Sequence, residues 1–597
     1  MKSSVILCAL IFTLNFNLKA QDSPKRELRG AWIATFSNID WPIKTQTPQQ
    51  QKNAFIDILN HHQATGINAV FVQIRSQCDA FYPSELEPWS ADLTGKQGVA
   101  PSPYWDPLTF MIAECHKRNM EFHAWLNPYR AISSVANLSS FSANHVAKQH
   151  PDWLITSGNL RTLDPGLPAV RTYILEVIKD IVNRYDVDGV HFDDYFYPNS
   201  AFSDDQTFAN FSRGFTNRDD WRRDNVNILI KNTYSAINLL KPWVKFGVSP
   251  SGIYRNSTNP DIGTPTSGLE HYNSLYADSK KWIAEGWVDY LAPQIYWYRG
   301  QANADYSKIT PWWNNNAYGR HIYIGQAGYK VNDATQGSQW LVAAEIPNQV
   351  RLNRQSQYSN LKGQVIYNTK SLLANNNKAF RDSLKLNVYN KLSLIPIMPW
   401  KDNVAPASPT ALIGNKYGQD SLVLTWTAPP AAISEFDKVK AYVVYKSANA
   451  KIDTLSNVEI IAVVNQPKYV DMQLANGYNF QYKVTALDRF HNESLSSNTI
   501  STLTTAIDDL ESRSIAKIIV YPNPSTQHIT VELKDYAANK VWIQIIDMQG
   551  KVRLRETFKR NVENTYVVDF QNRLNPGQYI VAVKGENFQE HTKIIVR

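Results

Sequence analysis

Between residues 30 and 367 the chain repeats one pattern eight times: a short apolar run, then a stretch with helical spacing. The runs are Gly30–Phe36, Ala69–Ile74, Phe122–Leu126, Gly189–Phe192, Lys245–Val248, Tyr290–Ile295, His321–Gly325 and Gln364–Tyr367. Helical patterns between them include Gln49–Thr65, Pro107–Arg118, Ala169–Tyr185, Trp221–Leu240, Tyr276–Glu285 and Gln336–Asn353. Short apolar runs bounded by turn residues read as buried strands, and strand alternating with helix builds a parallel sheet. Eight such units predict a closed (β/α)8 barrel. A doubly wound open sheet would want a Gly-rich turn after its first strand, and F-S-N-I-D-W-P at 36–42 offers none.

The pattern stops near Val404. An Ala-Pro-Ala-Ser-Pro linker (405–409) leads into alternating strand patterns without helices, and an acidic linker near Ile507 leads into another such stretch. The expected fold class is therefore α/β: a (β/α)8 TIM barrel at 25–403, followed by two small all-β sandwich domains at 404–505 and 515–597. Residues 1–20 read as a signal peptide, with Lys2 before an apolar core from Val5 to Phe12 and a cut before Gln21. That core is too short to span a bilayer, so the expectation is an exported protein that does not cross the membrane. Only Cys78 and Cys115 remain after the cut, which leaves no disulfide framework. The net charge of +8 is spread without a basic stripe or cluster, so no nucleic-acid partner is expected. Charged residues make up 19% and aromatics 12%, a balance that disfavours disorder.

In a barrel the chemistry sits just past the C-terminal ends of the strands. Asp40 and Trp41 follow the first run, and Arg75, Asp79 and Tyr82 the second. Asn127, Tyr129 and Arg130 follow the third, and Asp193, Asp194, Tyr195 and Tyr197 the fourth. Ser249, Ser251 and Tyr254 follow the fifth; Gln294, Tyr296, Trp297 and Arg299 the sixth; Gln326 the seventh. Aromatics, amides, Arg and Asp converging at one end describe a wet cleft with stacking platforms. The sharpest motif is V-D-G-V-H-F-D-D-Y-F-Y-P at 187–198, which includes His191. Two adjacent carboxylates push at least one pKa upward, leaving a neutral acid beside an ionised partner, which suits glycoside hydrolysis. One Asp of the pair could instead be structural. H-E-x-x-H, a G-x-S-x-G elbow and a G-x-x-x-x-G-K-[ST] loop are missing, so no metal or other cofactor is expected.

The segments R-E-L-R-G-A-W-I-A-T (26–35), N-I-D-W-P (38–42), V-Q-I-R-S-Q-C-D-A-F-Y-P-S (72–84), A-W-L-N-P-Y-R (124–130), D-G-V-H-F-D-D-Y-F-Y-P (188–198), W-I-A-E-G-W-V-D-Y-L-A-P-Q-I-Y-W (282–297) and I-G-Q-A-G-Y (324–329) resemble the glycosyl-hydrolase-like 10 family of bacterial exported proteins. The resemblance runs over about residues 25–400. It implies a (β/α)8 barrel that hydrolyses a glycan, with peptidoglycan strands stripped of their stem peptides as one substrate in the family. The mechanism of barrels with a catalytic Glu after strands four and seven does not transfer, because those positions hold Asp193-Asp194 and Gly325-Gln326. The chitinase pattern D-x-x-D-x-D-x-E fails as well, since its Glu would fall at Tyr195. Asp193 or Asp194 is then the expected general acid or base. The second carboxylate is expected from Asp79, Glu270 or Asp40, in that order. Arg75, Arg130 and Arg299 are expected to hold anionic sugar substituents, and Trp41, Tyr129, Tyr296 and Trp297 to stack on sugar rings.

Residues 422–426, 441–446 and 481–487, with Trp426 and Tyr482, resemble a fibronectin type III module. The segments I-V-Y-P-N-P-S (519–525), I-D-M-Q-G-K (546–551) and L-N-P-G-Q-Y-I-V (574–581) resemble the C-terminal sorting domain of the type IX secretion system. The partners implied are a glycan and that secretion machinery, with a secreted or cell-surface destination after the periplasm. The competing expectation is a catalytically silent glycan-binding protein or adhesin.

Overall fold

The computed structural model describes residues 23–374, 379–417, 421–448, 452, 459–474, 479–502, 517–534, 539–561, 563–585 and 589–597. The expected signal peptide, residues 1–20, lies outside them. Eight parallel strands close a barrel in sequence order: β1 (Leu28–Ile33), β2 (Ala69–Arg75), β3 (Glu121–Leu126), β4 (Gly189–Phe192), β5 (Lys245–Val248), β6 (Tyr290–Leu291), β7 (His321–Ala327) and β8 (Leu361–Tyr367). Closure comes from β8 pairing with β1, with Gly363 opposite Leu28.

The apolar run of β6 extends to Ile295 in the sequence, but the strand stops at Leu291. Pro293 has no N–H to offer a ladder. Pairing resumes as isolated bridges from Gln294 to Ser251 and Gly325, which re-aims the Gln294 side chain. The connecting helices are α1 (Pro48–Thr65), α2 (Pro107–His116), α3 (Pro168–Arg184), α4 (Arg218–Leu240), α5 (Ser279–Ala284), α6 (Tyr306–Asn315) and α7 (Glu345–Asn353). Helix α1 begins at a Thr47–Gln50 capping box and ends at Gly66, whose φ of 95° is the left-handed stop that glycine supplies. The helix expected from Gln336 starts only at Glu345, because Gly337 (φ 118°) breaks the segment into short turns.

The barrel interior is packed with rings. Phe71 stacks on His123 at 4.5 Å, and His191 lies parallel to Tyr290 at 5.9 Å. Glycines on neighbouring strands make the room: a Cβ on Gly189 would meet His123 Nδ1 at 2.4 Å, and one on Gly247 would meet Tyr290 Cε2 at 2.2 Å. The tyrosine hydroxyl of Tyr290 joins His123 Nδ1 (2.9 Å) and His191 Nδ1 (3.2 Å), so the buried polar atoms of this layer satisfy one another. Between β3 and α3 a small antiparallel sheet of Arg130–Ile132, Leu160–Leu163 and Leu154–Ser157 is inserted. It fixes the backbone of Arg130 at the C-terminal end of the barrel.

From residue 404 on, the described residues form β-strands without helices. Strands Thr410–Tyr417, Ser421–Thr427 and Lys468–Asp471 form one antiparallel sheet, and Ile460–Val464, Ala441–Ala448, Phe480–Leu487 and Ile500–Ser501 another. Leu424, Trp426, Val444, Tyr482 and Val484 are buried in one cluster. The last stretch repeats the arrangement, with a three-stranded sheet (Lys517–Tyr521, His528–Lys534, Thr565–Asp569) and a four-stranded one (Val552–Lys559, Lys540–Asp547, Gly577–Lys584, Gln589–Val596). Among the described residues no helix is long and apolar enough to cross a membrane.

Candidate active site

A cavity of about 310 Å3 opens at the C-terminal ends of the barrel strands, and Asp193, the residue after β4, is the one carboxylate among its lining residues. The position of that carboxylate can be derived from the backbone outward. The N–H groups of Thr35 (3.1 Å) and Phe36 (2.9 Å) donate to Gln73 Oε1. A backbone N–H can only donate, so Gln73 must present its amide nitrogen on the other side. That nitrogen donates to Asn127 Oδ1 at 2.6 Å. Asn127 is thereby turned so that its own Nδ2 donates to Asp193 Oδ2 at 3.0 Å. On the far side Gln294 Nε2 donates both to the Ser249 carbonyl (2.9 Å) and to Asp193 Oδ1 (3.2 Å). The Asp194 N–H completes the set at 2.9 Å. Asp193 thus accepts three N–H donors, each with its direction imposed by a backbone group.

Asp194 is half-buried and does not line the cavity. Desolvation first, then the Asp193 charge and a hydrogen bond between the two side chains, raise the Asp194 carboxyl well above the ordinary carboxylate range. The Asp194 carboxyl therefore keeps a proton more strongly than an ordinary carboxyl does.

Aromatic rings form the walls. Trp32, Phe36, Trp125, Tyr195, Tyr296 and Tyr367 line the cavity, and Tyr195 is 50% exposed at its edge. Tyr296 and Tyr367 stack at 6.1 Å. Arg130 is the only lining residue with a positive charge. It lies 4.4 Å over the Phe36 ring and 5.1 Å over that of Tyr195, while Nε donates to the Ser76 carbonyl (2.9 Å) and Nη2 to Asn127 Oδ1 (3.2 Å). His191 sits beneath this layer, fully buried, and bonds Ser249 Oγ (3.1 Å) and the indole N–H of Trp32 (3.3 Å). Burial, then the nearby His123, holds it neutral by lowering its pKa well below the histidine range. It supports the wall and does not face the cavity.

Several residues expected in the cleft lie elsewhere. Arg75 is fully buried; its Nε and Nη2 grip Glu87 (2.9 and 2.6 Å) and its Nη1 donates to the carbonyls of Asn127 (2.6 Å) and Pro128 (3.1 Å). It holds the loop that carries Asn127 and has no donor left for a substrate. Arg299 is paired with Glu345 at 3.1 Å. Trp41 is buried against Phe55 and donates to the Gln51 carbonyl (2.9 Å). Tyr82 and Tyr129 are fully buried, packed on Tyr185 and Phe196. Gln326 is buried against Gln349 (3.3 Å), and Trp297 packs over Gly252, outside the cavity lining. The faces of Trp41, Tyr82 and Tyr129 are closed to stacking by burial, while Trp297 is half-buried.

The three expected second carboxylates also stand outside the lining. Asp79 is buried among Ser76, Gln77 and Gln97. Glu270 precedes a short helix and bonds the Asn256 N–H (2.7 Å) and the Asn273 amide. Asp40 accepts the N–H groups of Ala34 (2.8 Å) and Lys370 (2.7 Å). Burial nevertheless pushes its carboxyl up to about 7, the two N–H bonds opposing the shift. Among the lining residues not singled out in the sequence are Trp32, Gln73 and Trp125, which lie inside strands rather than past them. Gln73 was detectable as a polar residue within the apolar run of β2, whereas Trp32 and Trp125 look like core.

The sequence matches the glycosyl hydrolase-like 10 family over residues 27–342 and the secretion system C-terminal sorting domain over residues 519–597. Glycosyl hydrolase YngK of Bacillus subtilis is 40% identical over 505 residues, spanning 83% of this chain and 96% of that protein. Glycosyl hydrolase DigH of Escherichia coli is 40% identical over 342 residues, 54% of this chain and 77% of that protein. Among solved structures, the endo-beta-1,4-mannanase of Thermotoga petrophila is 8% identical, with 96% of this chain and 98% of that one covered at a TM-score of 0.34. On the extent of the family match and its identity to YngK, this chain belongs to the glycosyl hydrolase-like 10 family.

Proposed function

We propose that the protein is an exported glycoside hydrolase that cuts a bacterial glycan, with peptidoglycan glycan strands favoured, and that the Asp193–Asp194 pair is its acid/base centre. The observation that carries this reading is the placement of Asp193, held by three N–H donors at the base of an aromatic-walled cavity, next to a carboxyl whose affinity for protons is raised. In this reading the pair gives its proton to the leaving glycosidic oxygen as the C–O bond breaks, and recovers one from the water that adds to the sugar. Tyr195, Tyr296 and Tyr367 offer ring faces to the sugars. The names of YngK and DigH support the hydrolase class.

The division into a barrel at 25–403, a fibronectin type III-like module at 404–505 and a sorting domain at 515–597 belongs to the same proposal. So does the route: a signal peptide to the periplasm, then the type IX machinery to the surface or medium. A silent binding protein would share the cavity but not the cleavage. Digesting purified glycan strands, with and without stem peptides, and reading products by mass separates the two. The expected result is shortened strands with the wild-type protein and none with Asp193→Asn combined with Asp194→Asn. Binding without cleavage by the wild-type protein would favour the adhesin.

A further inference from the structure

The guanidinium of Arg130 is an unneutralised cation in a cavity built largely of rings. Arg75 and Arg299 are each committed to a glutamate, whereas among the described residues Arg130 forms no ion pair. Its Nε and Nη2 are engaged by uncharged acceptors, the Ser76 carbonyl and Asn127 Oδ1. Its Nη1 makes no hydrogen bond, and it is not among the buried atoms left unsatisfied, so this end of the fork meets the open cavity. The rings of Phe36 and Tyr195 flank the guanidinium and hold its plane. An arginine held in one orientation, with donors facing a cleft, is the arrangement that binds a carboxylate with geometric selectivity. Asn127 contacts both Arg130 and Asp193, so an anion held at Arg130 sits one side chain away from the acid/base pair.

We propose that Arg130 is a specificity-determining residue that binds a carboxylate carried by a sugar of the substrate, next to the bond that is cut. The inference rests on the hydrolase reading above but not on the choice of peptidoglycan. A carboxylate on a pyranose comes either from a lactyl ether, as in muramic acid, or from a hexuronic acid, and both present the same group to the fork. A purely structural Arg130, which only holds the Ser76 carbonyl and the Asn127 amide in place, would be indifferent to either.

The test compares kcat/KM of the full chain on three probes. They are N-acetylglucosamine–N-acetylmuramic acid strands with free lactyl carboxylates, the same strands with those carboxyls converted to methyl amides, and oligosaccharides alternating glucuronate with N-acetylglucosamine. The wild-type protein should prefer a free carboxylate over its amide, and Arg130→Gln should reduce that preference about 10- to 100-fold, with Arg130→Lys between them. Whichever carboxylate probe is cut faster identifies the source; a preference for glucuronate would overturn the peptidoglycan choice and leave Arg130 in place. Equal losses on acid and amide strands would overturn the role of Arg130. If Arg130→Gln does not fold, the wild-type protein decides: added salt should erode the preference for the acid, and a salt-independent preference refutes the inference. If no probe is cut, the hydrolase reading falls, and calorimetric Kd values for the same probes still show whether Arg130 favours the acid over the amide.

Discussion

Asp193 owes its position to donors that cannot turn around. Replacing it with asparagine exchanges one acceptor oxygen for a donor nitrogen. In one rotamer that nitrogen faces Asn127 Nδ2, and in the other it faces Gln294 Nε2 and the Asp194 N–H. Asn127 cannot flip to accommodate it, because Gln73 is pinned by two backbone N–H groups. Asp193→Asn should therefore cost stability as well as activity: about 1–3 kcal/mol for the unpaired donor and about 100- to 10,000-fold in kcat/KM. Thermal unfolding and strand cleavage measured on the same preparation check both figures. A variant with unchanged stability would mean that the amide relay rearranges freely. Asp194→Asn meets no such ring of donors, and its signature is pH. An acid that must be protonated loses activity as pH rises through its raised pKa. The alkaline limb of the kcat/KM profile should therefore belong to the pair and disappear in that variant.

At the scale of elements, the barrel was legible because each strand is an apolar run between turn signals, and β4 and β5 match the expected ranges residue for residue. The site was legible only in part. Position past a strand end implies a side chain facing the cleft, yet Arg75 turns inward to Glu87, a loop residue whose proximity no local pattern announces. Trp32 and Trp125 failed in the opposite sense: on a strand buried on both faces, an indole that lines a cavity is written like one that fills a core. The close approach of strands is more predictable. Gly247→Ala on β5 should cost about 1–3 kcal/mol or more, because Tyr290 stands 2.2 Å from the added Cβ. It should also lower activity by displacing the hydroxyl that holds His191. Unfolding and cleavage assays that show no change would place Tyr290 elsewhere in solution. Asp40 joins the loop after β1 to the helix Thr369–Leu373 after β8, and its carboxyl stands at about 7 against an ordinary 3.8. Between those values the folded chain keeps a proton that the unfolded chain has lost, so stability falls as pH rises through this window and levels off above about 7. The melting temperature of the wild-type protein should decline relative to that of Asp40→Asn from about pH 4 to about pH 7; parallel curves would mean that Asp40 is ionised throughout.

For the whole molecule, the question is which parts hydrolysis needs and which serve delivery. The glycosyl hydrolase-like match, residues 27–342, takes in β1 to β7 of the barrel, and residues 519–597 match a secretion sorting domain. That terminal stretch carries its own core, with Val531, Val541, Ile543, Val581 and Ile594 buried together between two sheets. Its last strand, Gln589–Val596, is integral to that core, not an appendage. It pairs along its full length with Gly577–Lys584 and buries Ile594 and Val596. The motif at 519–525 is tied to the same strand, for the Ser525 N–H donates to the Ile595 carbonyl (2.8 Å) and the Arg597 N–H to the Ser525 carbonyl (2.9 Å). Removing residues 589–597 should thus expose the core and loosen the Y-P-N-P-S turn together. Burying two aliphatic side chains contributes about 3–6 kcal/mol, more than a domain of this size can spare. The short deletion should therefore stop export as completely as removal of residues 515–597, with the protein accumulating inside the cell envelope of its host. Cleavage of purified strands by either truncated protein should remain within about twofold of the full chain, since neither deletion touches a residue that lines the cavity. Fractionating the two strains and assaying the purified proteins tests both halves. Export that survives the short deletion would show that the secretion machinery reads a linear signal upstream of residue 589 and does not need a folded domain.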